Sequence, residues 1–402
     1  MSADNPPPRY LPWLMLAAVI VINLTMGFNY SWSVINKALV TDWHWTNVEA
    51  ALPYTVYSVV YAISMSFAGR AQDKFGPRFV AAFGSLVLAA GMLICSYAVS
   101  PLAMTIGYGL FVSAGFSTCY ATTIPTSVKW FPPARKGVVT GVVVGSLGLA
   151  AVYMAPLANW ILAVRGIPEV FLFLGLGAAG TILLAAQFLR TPTGAGAAED
   201  GAATAAGDLS WRPMVRTATF RQMWLMFFFL SSAGQMMFAH MATIAKTQAN
   251  WEGGFYLVIL LALFNTAGRM AGGALSDRFG RIAILKAVFF FFALNLAFFP
   301  AFHTPALLSL GAAVTGLCYG ACFSLFPLLT CDYYGIQNLG ANYGILFTAW
   351  GFSGFLGPLY AGWAADVTGS YVIAYYASAV LLLISLALAF TIKPPRPCAP
   401  PV

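Results

Sequence analysis

Charge is what this 402-residue chain has least of. Asp, Glu, Lys and Arg together make up 8% of it, against 60% hydrophobic residues and a mean hydropathy of +0.79. A water-soluble domain of this length does not manage with so few charges, so the composition points to an integral membrane protein. Carboxylates are scarcer than cations: Glu49, Asp73, Glu169, Glu252, Asp277, Asp332 and Asp366 all fall at the ends of apolar runs or in loops, none at membrane depth. Cys318 and Cys322 share a helix face but have no His or carboxylate beside them, which makes them packing residues rather than metal ligands. The six cysteines form no disulfide framework. No grouping of nucleophile and base, no metal cluster and no phosphate-binding glycine loop is present, so neither an enzyme nor a nucleotide-driven pump is expected, and no cofactor or metal. Basic stripes interleaved with aromatics are absent too, which argues against nucleic acid. No soluble signalling domain accompanies the apolar segments, which leaves little room for a sensor.

What is present is twelve apolar segments long enough to span a bilayer, at about 11–35, 49–68, 79–98, 101–126, 137–160, 168–189, 221–246, 253–275, 282–302, 304–329, 340–365 and 370–392. The first is too long for a signal peptide, and no small-residue cleavage site follows it. The net charge of +8 is unevenly shared. Counting alternate loops puts sixteen Lys and Arg on one side and only Lys37, Arg165 and Lys246 on the other. That bias predicts a multi-pass protein of the cell membrane with both termini in the cytoplasm. The stretch from Thr191 to Asp208 is small, polar and patternless, as a flexible linker is. It divides the chain into a six-span bundle over 1–190, a cytoplasmic linker over 191–220 and a second six-span bundle over 221–402.

One cation does not fit the loops. Arg269 lies in Phe264-Asn265-Thr266-Ala267-Gly268-Arg269-Met270, inside an apolar stretch from about Phe255 to Leu275. The next polar interruption, Ser276-Asp277-Arg278, is seven residues on, or roughly 10 Å along a helix at 1.5 Å per residue. A lone buried cation is costly and usually marks a substrate or ion pathway. Its simplest compensation is an anion that comes and goes, as in a carrier of small anions.

The halves repeat. Gly69-Arg-Ala-Gln-Asp73-Lys-Phe-Gly76 recurs 204 residues later as Gly273-Ala-Leu-Ser-Asp277-Arg-Phe-Gly280, and Gly137, Gly141 and Gly148 recur 203 later as Gly340, Gly344 and Gly351. Duplicated six-span units are typical of rocking carriers that hold substrate between the halves near the midplane. Here the chain resembles the major facilitator superfamily over nearly its whole length, through the Gly-x-x-x-Asp-Lys/Arg-x-Gly loop present twice. In that loop Asp73 and Asp277, with Arg78 and Arg281 nearby, are placed to cap neighbouring helices and hold a gate shut. The implied fold is all-α, with twelve transmembrane helices in two pseudo-symmetric six-helix bundles, working as a monomer. Asn29-Tyr30-Ser31-Trp32, Lys129-Trp130-Phe131-Pro132, Phe264 to Arg269 and Asn342-Tyr343-Gly344 narrow the match. Together they look like the monocarboxylate transporter family and its prokaryotic relatives of the oxalate:formate antiporter type.

That resemblance implies that Arg269 pairs with a substrate carboxylate, which its planar fork suits. Asn265, one turn earlier on the same face, either binds substrate or packs between helices. Tyr120, Tyr319, Phe323, Phe347 and Trp350 are implied as further lining residues, with Asn29, Tyr30 and Leu147 as weaker candidates. Asn265 stands where proton-coupled animal members carry an Asp, and Trp350 where oxalate-exchanging relatives carry a Lys. One fixed cation suits a monoanion better than a dianion. Short monocarboxylates such as L-lactate or pyruvate are therefore expected, carried with a proton, with carboxylate exchange as the alternative. The candidates for carrying the proton are His240, for which a packed neutral imidazole is the favoured alternative reading, and the substrate's own carboxylate.

Overall fold

A computed structural model describes residues 10–192 and 208–395. Among these the chain is helical throughout, and eleven helices are long and apolar enough to cross a membrane. In chain order they and their shorter companions are α1 (Leu11–Thr25), α2 (Trp32–Asp42), α3 (Asn47–Phe75), α4 (Pro77–Tyr97), α5 (Pro101–Met104), α6 (Ser113–Val128), α7 (Lys136–Arg165) and α8 (Ile167–Ala186). Then follow α9 (Trp211–Arg216), α10 (Ala218–Ala249), α11 (Gly254–Phe279), α12 (Arg281–Phe298), α13 (Pro305–Tyr334), α14 (Leu339–Leu346), α15 (Thr348–Thr368) and α16 (Val372–Thr391). Residues 193–207 of the expected linker lie outside the described residues.

Three of the expected spans are interrupted along their length. The first gives way at Met26–Ser31 to a 3-10 turn, with the Thr25 hydroxyl donating back to the Ile22 carbonyl at 2.7 Å. The fourth contains a π-helical run, Thr105–Val112, between α5 and α6. The eleventh, expected as one helix over 340–365, breaks at Phe347. There α14 closes with a bond from the Phe347 N–H to the Tyr343 carbonyl, and α15 opens at Thr348, whose hydroxyl accepts the Trp224 indole N–H at 3.0 Å.

The chain forms two compact units. The first comprises Met1–Pro133, Ser146–Ala203 and Ile336–Phe347. Its core is α4 packed on α6 and α8, with α3 on α6 and on α14. The second comprises Ala134–Gly145, Thr204–Gly335 and Thr348–Val402. It is built on α11 against α13, α10 against α15, and α12 against α16.

The repeated loop is explained by its backbone. Gly76 ends α3 at φ +81°, and Gly280 ends α11 at φ +86°, a region that costs a side chain dearly and glycine little. Pro77 and Arg281 then open the next helix at once. In the first unit Asp73 accepts the N–H groups of Gly340 (3.2 Å) and Ala341 (2.7 Å), at the start of α14. In the second, Asp277 accepts those of Gly137 and Val138, both at 2.9 Å, at the start of α7. Each carboxylate thus satisfies helix-terminal donors that lack intrahelical partners.

The basic residues of the two copies differ in use. Arg281 directly follows its glycine and reaches back to Asp277 at 2.6 Å and across to Asp332 at 3.4 Å. Arg78 is one residue further on, and bonds Gln187 instead, at 2.7 and 3.1 Å. Asp73 has Lys129 as its nearest cation, at 3.9 Å.

Candidate anion site

Arg269 sits on the α11 face that packs against α13, and only 5% of it is exposed. Small residues let the two backbones approach. A Cβ on Gly320 would overlap the Asn265 carbonyl oxygen, and one on Gly268 would overlap that of Leu317. The Ser324 hydroxyl donates to the Arg269 carbonyl and adds a polar tie across the seam.

Among the described residues the guanidinium has hydrogen bonds but no counter-charge. Its Nε donates to Asn265 Oδ1 at 3.0 Å and its Nη1 to the Val144 carbonyl at 3.1 Å. Its Cζ stands 4.4 Å from the centre of the Phe323 ring, a cation–π contact. No carboxylate lies within 4.0 Å of it among the described residues. Asn265 is also 5% exposed, and its Nδ2 has no hydrogen-bond partner among the described residues. With Oδ1 taken by Arg269, what this pair still offers is a buried donor beside an uncompensated positive charge. That chemistry receives an anion.

The second unit brings five of the expected residues into one cluster. Phe323 lies against the guanidinium, and Tyr319 meets Phe323 edge-to-face at 5.2 Å. The Trp350 indole N–H donates to the Tyr319 hydroxyl at 3.0 Å. Thus Asn265, Arg269, Phe323, Tyr319 and Trp350 form a continuous chain of contacts.

In the first unit Tyr120 and Phe347 pack with ring centres 6.1 Å apart, both nearly fully buried. Leu147 is half-buried on α7. Asn29 and Tyr30 lie in the 3-10 turn, and their side chains are outside the described set. His240 stands apart from the cluster's contacts. Its Nε2 lies 3.1 Å from the Pro358 carbonyl and its Nδ1 3.2 Å from the Tyr371 hydroxyl. A carbonyl only accepts, so Nε2 carries a proton, while the Tyr371 hydroxyl can either donate to Nδ1 or accept from it.

Two contributors escape a reading of the sequence alone. Gln235 on α10 donates through Nε2 to the Trp350 carbonyl (3.0 Å) and to Ser353 Oγ (2.7 Å), anchoring the segment that carries Trp350. Its amide inside an apolar span is a signal that could have been followed. The Val144 carbonyl leaves no such trace, because any residue supplies one.

A sequence profile of the Major Facilitator Superfamily matches residues 16–300 and 270–401. The oxalate:formate antiporter of Oxalobacter formigenes is 28% identical over 394 residues, covering 95% of this chain and 91% of that protein. Human monocarboxylate transporter 14 is 33% identical over 135 residues, covering 33% of this chain and 26% of that one. Among solved structures, the Escherichia coli fucose:proton symporter superposes with a TM-score of 0.74 at 14% identity, covering 94% of this chain and 98% of that one, which speaks for the fold alone. With a matching profile over nearly its whole length and the duplicated helix-capping loops in place, the chain belongs to the Major Facilitator Superfamily.

Proposed function

We propose that the protein is a secondary transporter of short monocarboxylates, working by alternating access, with Arg269 and Asn265 as the carboxylate receptor. The observation that carries this is the buried guanidinium with no carboxylate partner beside a buried, unpartnered Asn265 Nδ2. Both bonds to Arg269 come from neutral oxygens, which satisfy its hydrogens but leave its charge. An arriving carboxylate takes up that charge in a low-dielectric setting, where charge-assisted hydrogen bonds are strong. Among the described residues Arg269 is the one cation in this cluster, and Trp350 is engaged in a neutral bond to Tyr319, so a second carboxylate would lack a partner there. Phe323, Tyr319 and Trp350 supply an apolar wall for a short tail.

Transport is coupled to protons in this reading, and the proton travels with the anion. A neutral acid leaves the field of Arg269 more easily than an anion does, and both ring nitrogens of His240 are already engaged, by the Pro358 carbonyl and the Tyr371 hydroxyl. Carboxylate exchange is the second reading. It is supported by the similarity to an oxalate:formate antiporter and by the amide, rather than a carboxylate, at Asn265.

The test is uptake of labelled L-lactate into proteoliposomes that contain no anionic substrate. Accumulation driven by an inward proton gradient is expected, and it should fall to background in Arg269→Ala while that variant still inserts and purifies normally. Uptake that appears only after preloading with a second carboxylate would favour exchange. Unaltered transport by Arg269→Ala would remove the receptor assignment.

A further inference from the structure

Buried serines in these helices commonly satisfy their own hydroxyls. Ser85, Ser96, Ser117 and Ser127 each donate to a carbonyl three or four residues back, and on α10 so does Ser232, to Phe228 at 2.8 Å. Ser231, beside it, does not. It is 0% exposed, yet its Oγ has no hydrogen-bond partner among the described residues. A hydroxyl left unpaired inside an apolar bundle is costly and calls for a cause.

The neighbours of Ser231 on its own helix show where it faces. Residues three and four apart share a helix face, so Ser231 stands one turn after Phe227 and one turn before Gly234 and Gln235. Phe227 meets the Phe323 ring edge-on, with centres 6.3 Å apart. A Cβ on Gly234 would overlap the Tyr319 ring. Gln235 donates to the Trp350 carbonyl at 3.0 Å. At about 100° per residue, the direction of Ser231 falls between that of Gly234, which serves α13, and that of Gln235, which serves α15. It therefore faces the wedge that the Trp350–Tyr319 bond bridges, one turn along α10 at the level of Phe323. Phe323 is reached from both sides, by Phe227 of α10 and by the Arg269 guanidinium of α11. All these residues belong to the second unit. Around one aromatic group that unit thus holds two buried side chains with an unused hydrogen-bonding atom, Asn265 Nδ2 on α11 and Ser231 Oγ on α10.

We propose that Ser231 is a further substrate-binding residue, whose hydroxyl recognises the 2-hydroxyl or 2-oxo oxygen of the acid held through its carboxylate by Arg269 and Asn265. The inference rests on the monocarboxylate reading above and narrows its substrate class to 2-hydroxy and 2-oxo acids. A serine hydroxyl donates to a 2-oxo group and either donates to or accepts from a 2-hydroxyl, so one side chain serves both. An acid with no oxygen on its second carbon leaves that hydroxyl unpaired, which makes the position selective rather than merely polar.

L-lactate, pyruvate and propionate share a three-carbon skeleton and differ at the second carbon. The experiment is their competition against labelled L-lactate in proteoliposomes. The wild type should favour L-lactate and pyruvate over propionate by about tenfold or more, as a site that hydrogen-bonds a substrate oxygen does. Ser231→Ala should bring that ratio close to one, and Ser231→Thr, which keeps the hydroxyl, should restore it. If Ser231→Ala does not reach the membrane, Ser231→Cys supplies a weak donor of similar size, and its ratio should fall between the two. A wild type that treats the three acids alike would overturn the inference, and so would a Ser231→Ala carrier that keeps the wild-type ratio, as it would if the hydroxyl served only packing or an internal water. The two readings fail differently. If wild-type uptake is insensitive to Arg269→Ala, the monocarboxylate reading falls and this inference with it. If uptake depends on Arg269 but the ratio ignores residue 231, only the role of Ser231 falls.

Discussion

At the scale of single residues, the chemistry turns on the two ends of one amide. Asn265 spends Oδ1 on Arg269 and leaves Nδ2 without a partner, so the side chain both orients the guanidinium and extends its array of donors. A carboxylate in the same place would act very differently. In Asn265→Asp the new anion neutralises Arg269 from 3.0 Å away and competes with the substrate. We expect uptake by this variant to be weak at pH 7 and to recover as the pH falls and the carboxyl is protonated, more steeply than in wild type. A pH series of initial rates on the two proteins checks this, and parallel profiles would contradict it. Arg269 itself was legible in the sequence, because a lone cation in an apolar run needs no structure to be conspicuous. Its Val144 partner was not, since a backbone carbonyl leaves no mark on composition.

At the scale of elements, helices are positioned by what their small residues allow. Gly320 lets α13 lie against the Asn265 carbonyl, so the distance between α11 and α13 governs where the receptor pair points. Gly320→Val should force the helices apart and cost about 1–3 kcal/mol, as overpacking a fitted interface does. It should show as a lower melting temperature in detergent together with weaker substrate binding. Unchanged melting and binding would mean that the seam has slack. The sequence located both repeats of the capping loop. It did not reveal the breaks. Nothing in the composition of residues 340–365 signals that the helix stops at Phe347, because the cause is tertiary: a Thr348 hydroxyl engaged by Trp224 and a Trp350 carbonyl held by Gln235. The packing of Tyr61, Tyr120 and Phe347 together escaped for a similar reason, since three segments distant in sequence supply one ring each.

At the scale of the whole molecule, architecture was the most legible property. Twelve apolar runs and a repeat at 203–204 residues define a duplicated six-span protein before any coordinates are consulted. The distribution of Lys and Arg further predicts its orientation. A cysteine at Lys246 should react with a membrane-impermeant maleimide in intact cells, and one at Arg278 only after the membrane is opened. The reverse pattern would invert the topology. The orphaned Asn265 amide and the unneutralised guanidinium have a further, practical consequence. A receptor left short of acceptors is an unloaded spring, and the protein's own resistance to heat then reports its cargo. A ligand at a hundred times its Kd adds about 2.7 kcal/mol to the folded state. A plate of candidate acids, read only by melting curves of the purified carrier with Arg269→Ala as the silent control, therefore identifies the cargo without any transport being measured.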